Sequence, residues 1–176
     1  MEIRRWSVLL SLLLAMATLP HAAVSAAPSA GAMAVDAVAP RPVARPAGWS
    51  SFEHKVLKRT NKARAKHGCR ALRAESHLRK AARNHTKAMV AAGKLSHQLP
   101  GEASLGARIT RAGYRNWRGV AENIAFGYPT PKALVNAWMK SPGHRRNILN
   151  CSYRHLGVGV VVKGGTHWAT QDFGHK

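Results

Sequence analysis

The chain has 176 residues and carries 28 Lys and Arg against 7 Asp and Glu, a formal net charge of +21. That length accommodates one domain and a leading segment rather than an array of domains, and beyond the two cysteines no other residues suggest a cysteine-based zinc site. A field this basic favours anionic surfaces such as membrane headgroups, phosphate-bearing wall polymers or nucleic acid. No nucleic-acid-binding motif accompanies it, which argues against the last of these. The alternative is a solvated basic surface with no dedicated partner, and charge alone does not separate the two.

Residues 1–26 read as an export signal. Arg4 and Arg5 form a basic start, and Trp6 to Leu19 is an apolar stretch interrupted only by small Ser and Thr. Val24-Ser25-Ala26 then has the small-x-small pattern that signal peptidase reads. The apolar run is short for a bilayer crossing, so no transmembrane segment is expected after cleavage. Residues 27–48 are rich in Ala, Pro and Val without a helical period. Pro28, Pro40, Pro42 and Pro46 favour an extended linker. The folded domain is expected over residues 49–176, as a monomer. Cys69 and Cys151 both fall within it, and outside the cytosol such a pair most often forms a disulfide. Closing so long a loop contributes roughly 4 to 5 kcal/mol on the chain-entropy account.

Ser50-Ser51-Phe52-Glu53 fits a capping box and opens a first helix whose inner stripe is Phe52, Val56, Leu57, Thr60 and Ala63, with Gly68 beyond its basic end. Ser76 is the expected cap of a second helix with Leu78, Ala81, Ala82, His85 and Met89 inward, stopped by Gly93. A short third helix is expected over Ser104 to Ala112, ended by Gly113. An early strand is placed near Val120 to Ala125. Thr130-Pro131 is a hydroxyl cap followed by Pro at the first helical position, and Leu134, Val135 and Trp138 supply that helix's buried stripe. Ser141-Pro142 repeats the arrangement for a helix through Leu149. Leu156 to Val162 and Thr166 to Phe173 read as strands joined by the hairpin turn Lys163-Gly164-Gly165. Helices, a small antiparallel sheet and more helices in series make the class α+β.

Four segments carry more than periodicity. They are Leu95-Ser96-His97, Gly119-Val120-Ala121-Glu122-Asn123-Ile124-Ala125, Trp138-Met139-Lys140-Ser141-Pro142-Gly143-His144-Arg145-Arg146-Asn147-Ile148-Leu149, and Leu156-Gly157-Val158-Gly159-Val160 leading to Trp168-Ala169-Thr170-Gln171-Asp172-Phe173-Gly174. In this order they resemble the CAP superfamily, or SCP domain, in its single-domain bacterial form. The resemblance runs from about Phe52 to the C-terminus. It implies a three-layer α-β-α sandwich with one groove, lined in the family by two His and two acidic residues. His97, Glu122 and His144 match three of these. The fourth, a Glu three residues after the Trp in many eukaryotic members, is Ser141 here. His85, on the apolar face of the second helix, is a supporting candidate for the groove, as is Ser141.

Two imidazoles and a carboxylate suit a divalent cation such as zinc with one open position. The same trio could instead form a polar network in which the imidazoles flank Glu122 through charge-assisted bonds, and this reading is preferred because no His-Glu-x-x-His helix is present. A Ser141–His144–Glu122 triad is conceivable, but Ser141 has a capping role and lacks the Gly-x-Ser-x-Gly elbow. Glycoside hydrolysis needs a second carboxylate, and Asp172 looks like part of the sheet rim. Asn123 and Trp138 read as structural, and Trp168 and Gln171 as filling the last strand near the groove floor. The expectation is a secreted binding module, not an enzyme, for an envelope-associated or extracellular ligand that is lipid-like or anionic. The rival is a metal-assisted hydrolase acting on peptide or wall material.

Overall fold

The computed structural model describes residues 44–176. The expected signal at 1–26 and the expected linker at 27–48, as far as residue 43, lie outside the described residues. Five helices and four strands follow in the order α1 (Ser51–Ala65), β1 (Arg73–Ala74), α2 (Ser76–Ala92), α3 (Leu105–Ala112), β2 (Gly119–Phe126), α4 (Pro131–Lys140), α5 (Pro142–Leu149), β3 (His155–Lys163) and β4 (Thr166–His175).

Local chemistry sets most of these boundaries. At α1 the capping box is complete: Glu53 N–H donates to Ser50 Oγ and Ser50 N–H donates to a Glu53 carboxylate oxygen. α2 is capped by Glu75 and not by Ser76, which is its first helical residue. The longer Glu75 side chain reaches the Leu78 N–H at 2.7 Å. Ser104 caps α3 and Thr130 caps α4. Ser141 stands at the head of α5 but its side chain makes no capping bond, so its hydroxyl is not spent on the helix as expected. β3 and β4 turn on Gly164 and Gly165, both at positive φ, as a two-residue hairpin requires.

The sheet order is β1-β3-β4-β2. β4 pairs antiparallel with both neighbours, whereas β1 runs parallel to β3. The sheet is therefore mixed, where the sequence pattern predicts a wholly antiparallel one. A two-residue strand is too short to leave a period in the sequence.

Adjacent residues on β4 identify the layers. Thr170 receives a hydrogen bond from Thr86 on α2 at 2.8 Å, and Gln171 donates one to Thr60 on α1 at 2.8 Å. Because successive side chains leave opposite faces of a strand, α2 and α1 cover opposite faces of the sheet. α3 joins α2 on its side, while α4 and α5 join α1. The α-β-α sandwich follows.

The segment Leu156-Gly157-Val158-Gly159-Val160 explains how closely the layers approach. Leu156, Val158 and Val160 belong to the main core with Val56, Leu57, Leu134 and Trp138. Gly157 and Gly159 face α2, where an added Cβ would lie 2.1 Å from Arg79 N and 2.4 Å from Arg83 N respectively. No side chain fits between strand and helix there, so α2 rests directly on β3.

Two devices close the end of the domain beyond α1 and α5. Cys69 and Cys151 form a disulfide with their Cα atoms 5.0 Å apart. Beside it the buried Arg64 donates to four carbonyls, those of Arg70, Ile148, Asn150 and Tyr153. No helix among the described residues is long and apolar enough to cross a membrane.

Candidate binding groove and its carboxylate network

β2 is a terminal strand of the sheet, and its centre holds the Glu122-Asn123-Ile124 segment. Glu122 points to the α2–α3 side and Asn123 to the α1–α5 side, as alternation requires. Glu122 is buried, its side chain 2% exposed. One carboxylate oxygen accepts from His97 Nδ1 at 2.8 Å, and the other from Arg108 Nη1 at 3.0 Å. Arg108, on α3, also donates to the His97 carbonyl at 2.8 Å, fixing the loop that presents the imidazole. Burial opposes the charge on Glu122. The bond from His97 and the charges of Arg108 and His85 outweigh it and hold the carboxyl below its ordinary value.

His85 extends this network inward from α2. Its Nδ1 lies 2.7 Å from Glu102 Oε1 and its Nε2 2.9 Å from the Ser96 carbonyl, with Glu122 Oε2 at 3.8 Å. Both ring nitrogens face acceptors, so both bonds are made only when both nitrogens carry protons. His85 is buried on the inner face of α2, as its spacing predicts, but it does not line the groove that holds His144.

Asp172 differs from expectation. It does not lie at a sheet rim: it is fully buried, directly across the ladder from Glu122. Its strand, β4, is an inner one, flanked by β3 and β2. Neither of its oxygens has a hydrogen-bond partner among the described residues. Burial first, and the Glu122 charge second, push the Asp172 carboxyl well above its usual range.

His144 reaches the region from α5, on the other side of the β2 edge. Its carbonyl accepts from Asn123 Nδ2 at 3.2 Å, but no hydrogen bond from its ring is present among the described residues. Partial burial, and then the charge of His97, lower its pKa from 6.5. His144 lines a groove of about 270 Å³ together with Ser141, Leu95, Ile124, Phe126 and Trp138. Trp168 stacks on Phe126 at 4.8 Å and so supports the groove wall. Gln171 is buried and does not itself line the groove; it lies on the α1 side of the sheet, bonded to Thr60 and Asn123.

A zinc ion needs three donors at one point. Among the described residues no three His, Cys, Asp or Glu side chains are arranged to hold a metal. His97 and Glu122 meet, yet they meet each other, and His144 does not join their bond. The Ser141–His144–Glu122 relay is not assembled either, because the imidazole bonded to Glu122 belongs to His97. Glu102 and Arg108 are not visible as site residues in the sequence, and Asp172 is visible only as a second carboxylate assigned to the sheet rim. Glu102 follows a Pro-Gly turn with no informative spacing, and Arg108 is one basic residue among 28.

The chain matches the cysteine-rich secretory protein family, CAP, over residues 57–173. It is 38% identical to the protein YkwD of Bacillus subtilis (strain 168) over 73% of its own length and 49% of that relative's. It is 36% identical to the membrane protein YlbC of the same organism, over 70% of its length and 34% of that protein's. The chain thus spans half or less of these relatives. Among solved structures, an extracellular SCP-domain protein from Bacillus anthracis superposes with a TM-score of 0.66 at 31% identity, covering 71% of this chain and 40% of that one. An outer surface protein of Borrelia burgdorferi shares the fold at 20% identity with a TM-score of 0.63, over 69% of this chain and 90% of that one. With the motif order, the layered fold and the His97–Glu122 pair in place, the chain belongs to the CAP family.

Proposed function

We propose that this CAP domain is an exported, non-enzymatic binding module whose groove holds a ligand with an apolar body and a polar end. The observation that carries this reading is the groove's lining. Leu95 and Phe126, two of the three exposed large hydrophobic side chains among the described residues, line it together with Ile124 and Trp138. Exposed apolar groups gathered at one concave place mark a binding surface more often than scattered ones do. Within the same lining, His144 and Ser141 offer polar contacts to a ligand's head. Extracellular relatives support export.

Catalysis by Glu122 finds little support. Both of its oxygens are occupied, and a carboxyl held below its ordinary value is a poor general acid or base near neutral pH. Titration of the secreted protein with a fluorescent sixteen-carbon fatty acid tests the reading. Saturable binding is expected, weakened about tenfold in Phe126→Ser, since burying one large apolar side chain is worth about 1.5–3 kcal/mol. Binding that ignores Leu95→Ser and Phe126→Ser, or no binding of any apolar probe, would overturn it. Zinc-stimulated hydrolysis of peptide or wall material would favour the hydrolase instead.

A further inference from the structure

We infer that the outer face formed by α1, α4 and α5 is a docking track for a linear, phosphate-bearing polyanion. The argument begins with where the negative charges are. Residues 44–176 contain five acidic side chains: Glu53, Glu75, Glu102, Glu122 and Asp172. None is freely exposed, the least buried being Glu75 and Glu102 with side chains 18% and 16% accessible. Glu53 is 0% exposed and pairs with Arg79 and Arg83. Glu75 caps α2, Glu102 and Glu122 belong to the His85 network, and Asp172 is fully buried. The outer surface therefore presents cations with almost no carboxylate among them.

These cations are concentrated. Along α1 and at its C-cap, Lys55, Lys58, Arg59, Lys62 and Lys66 are all exposed and recur at intervals of three and four residues. They form one stripe along the helix, about 16 Å from end to end. Shallow depressions continue it sideways. One is bounded by Lys55, Lys58, Arg59 and Lys62. A second shares Arg59 and Lys62 and adds Lys66 and, across the helix pair, Lys132 on α4. A third shares Met139 with the second and adds Lys140, Arg145 and Arg146. The three make a continuous band. None of its cations is in an ion pair with a carboxylate among the described residues.

The form of the band selects the occupant. No aromatic side chain lines any of the three depressions, so bases of a single-stranded nucleic acid would find nothing to stack on. The exposed large hydrophobics Leu95, Phe126 and Val162 all lie elsewhere, so the face has no wedge for a lipid surface. What remains is a row of exposed cations about 5–6 Å apart, suited to successive phosphates on a flexible chain. Such contacts release counterions, so affinity falls steeply with salt.

Two charge-matched variants of the secreted protein test this with linear inorganic polyphosphate as the probe, followed by fluorescence anisotropy. Lys58→Glu/Lys62→Glu/Lys66→Glu alters the track. Lys80→Glu/Lys87→Glu/Arg111→Glu makes the same charge change at exposed positions on α2 and α3. The first is expected to weaken binding at least tenfold and to flatten the salt dependence, and the second to weaken it less than threefold. Equal weakening in both would mean that net charge alone binds, and would overturn the track. Tighter binding to vesicles containing phosphatidylglycerol, or to a single-stranded oligonucleotide, would overturn the assignment to a linear phosphate polymer.

Discussion

Glu122 and Asp172 face each other across one ladder and respond to pH in opposite senses. Glu122 is held below its ordinary value of 4.5. Its stabilising contribution is therefore present above that value and is lost as pH falls through the folded-state value. Glu122→Gln should lower the unfolding free energy by about 3 kcal/mol at pH 7, because Arg108 and His97 lose a buried charged partner. That deficit should shrink at pH 4 and below, as urea denaturation at the two pH values would show. Asp172 is raised above its ordinary value of 3.8. The folded state retains its proton where the unfolded chain has released it, so stability declines as pH rises above that value. Asp172→Asn should therefore be neutral or stabilising at pH 7, with a gain that disappears near pH 3. A loss of stability in this variant at pH 7 would mean that Asp172 is ionised in the folded protein.

α2 shows how far an element can be read from sequence. Its inner stripe, its stop at Gly93 and the inward position of His85 are all legible from spacing, because burial follows the helical period. Its cap is not, since Glu75 acts through a side chain long enough to replace the shorter Ser76. The contact between α2 and β3 is legible only as a recurring motif; Gly157 and Gly159 acquire their reason once the helix is seen lying on them. Gly157→Ala should cost about 3 kcal/mol or more, because a methyl group 2.1 Å from Arg79 N must move helix or strand. Thermal unfolding monitored by circular dichroism would measure it. The charged part of the site is least legible. Glu102, Arg108 and Asp172 come from a loop, a helix and a strand with no common spacing, and a carboxylate's partners depend on tertiary placement. The His97–Glu122 bond follows from motif order, whereas the separate position of His144 requires the geometry of the β2 edge.

For the molecule as a whole, the 82-residue separation between Cys69 and Cys151 makes the disulfide its longest covalent constraint among the described residues. Replacing both cysteines by alanine should lower the unfolding free energy by about 4 to 5 kcal/mol on the chain-entropy account. The fold should nevertheless persist under native conditions, since Arg64 still ties the end of α1 to the carbonyls of Ile148, Asn150 and Tyr153. Retained near-ultraviolet circular dichroism with a lowered denaturation midpoint is the expected result. Loss of tertiary signal without denaturant would mean that the arginine bonds do not hold that segment unaided.

The position of β2 at the margin of the sheet has a further consequence. A terminal strand ordinarily offers unpaired backbone groups to any extended chain that meets it. Here two of its carbonyls are already engaged, that of Glu122 by the Asn147 side chain at 3.1 Å and that of Ile124 by the Trp138 indole at 3.2 Å. An incoming peptide cannot complete a regular ladder without displacing both. The same two bonds thus guard against edge-to-edge self-association and bear on the proposed ligand: a guest of the neighbouring groove would be held by side chains, not enrolled as a fifth strand.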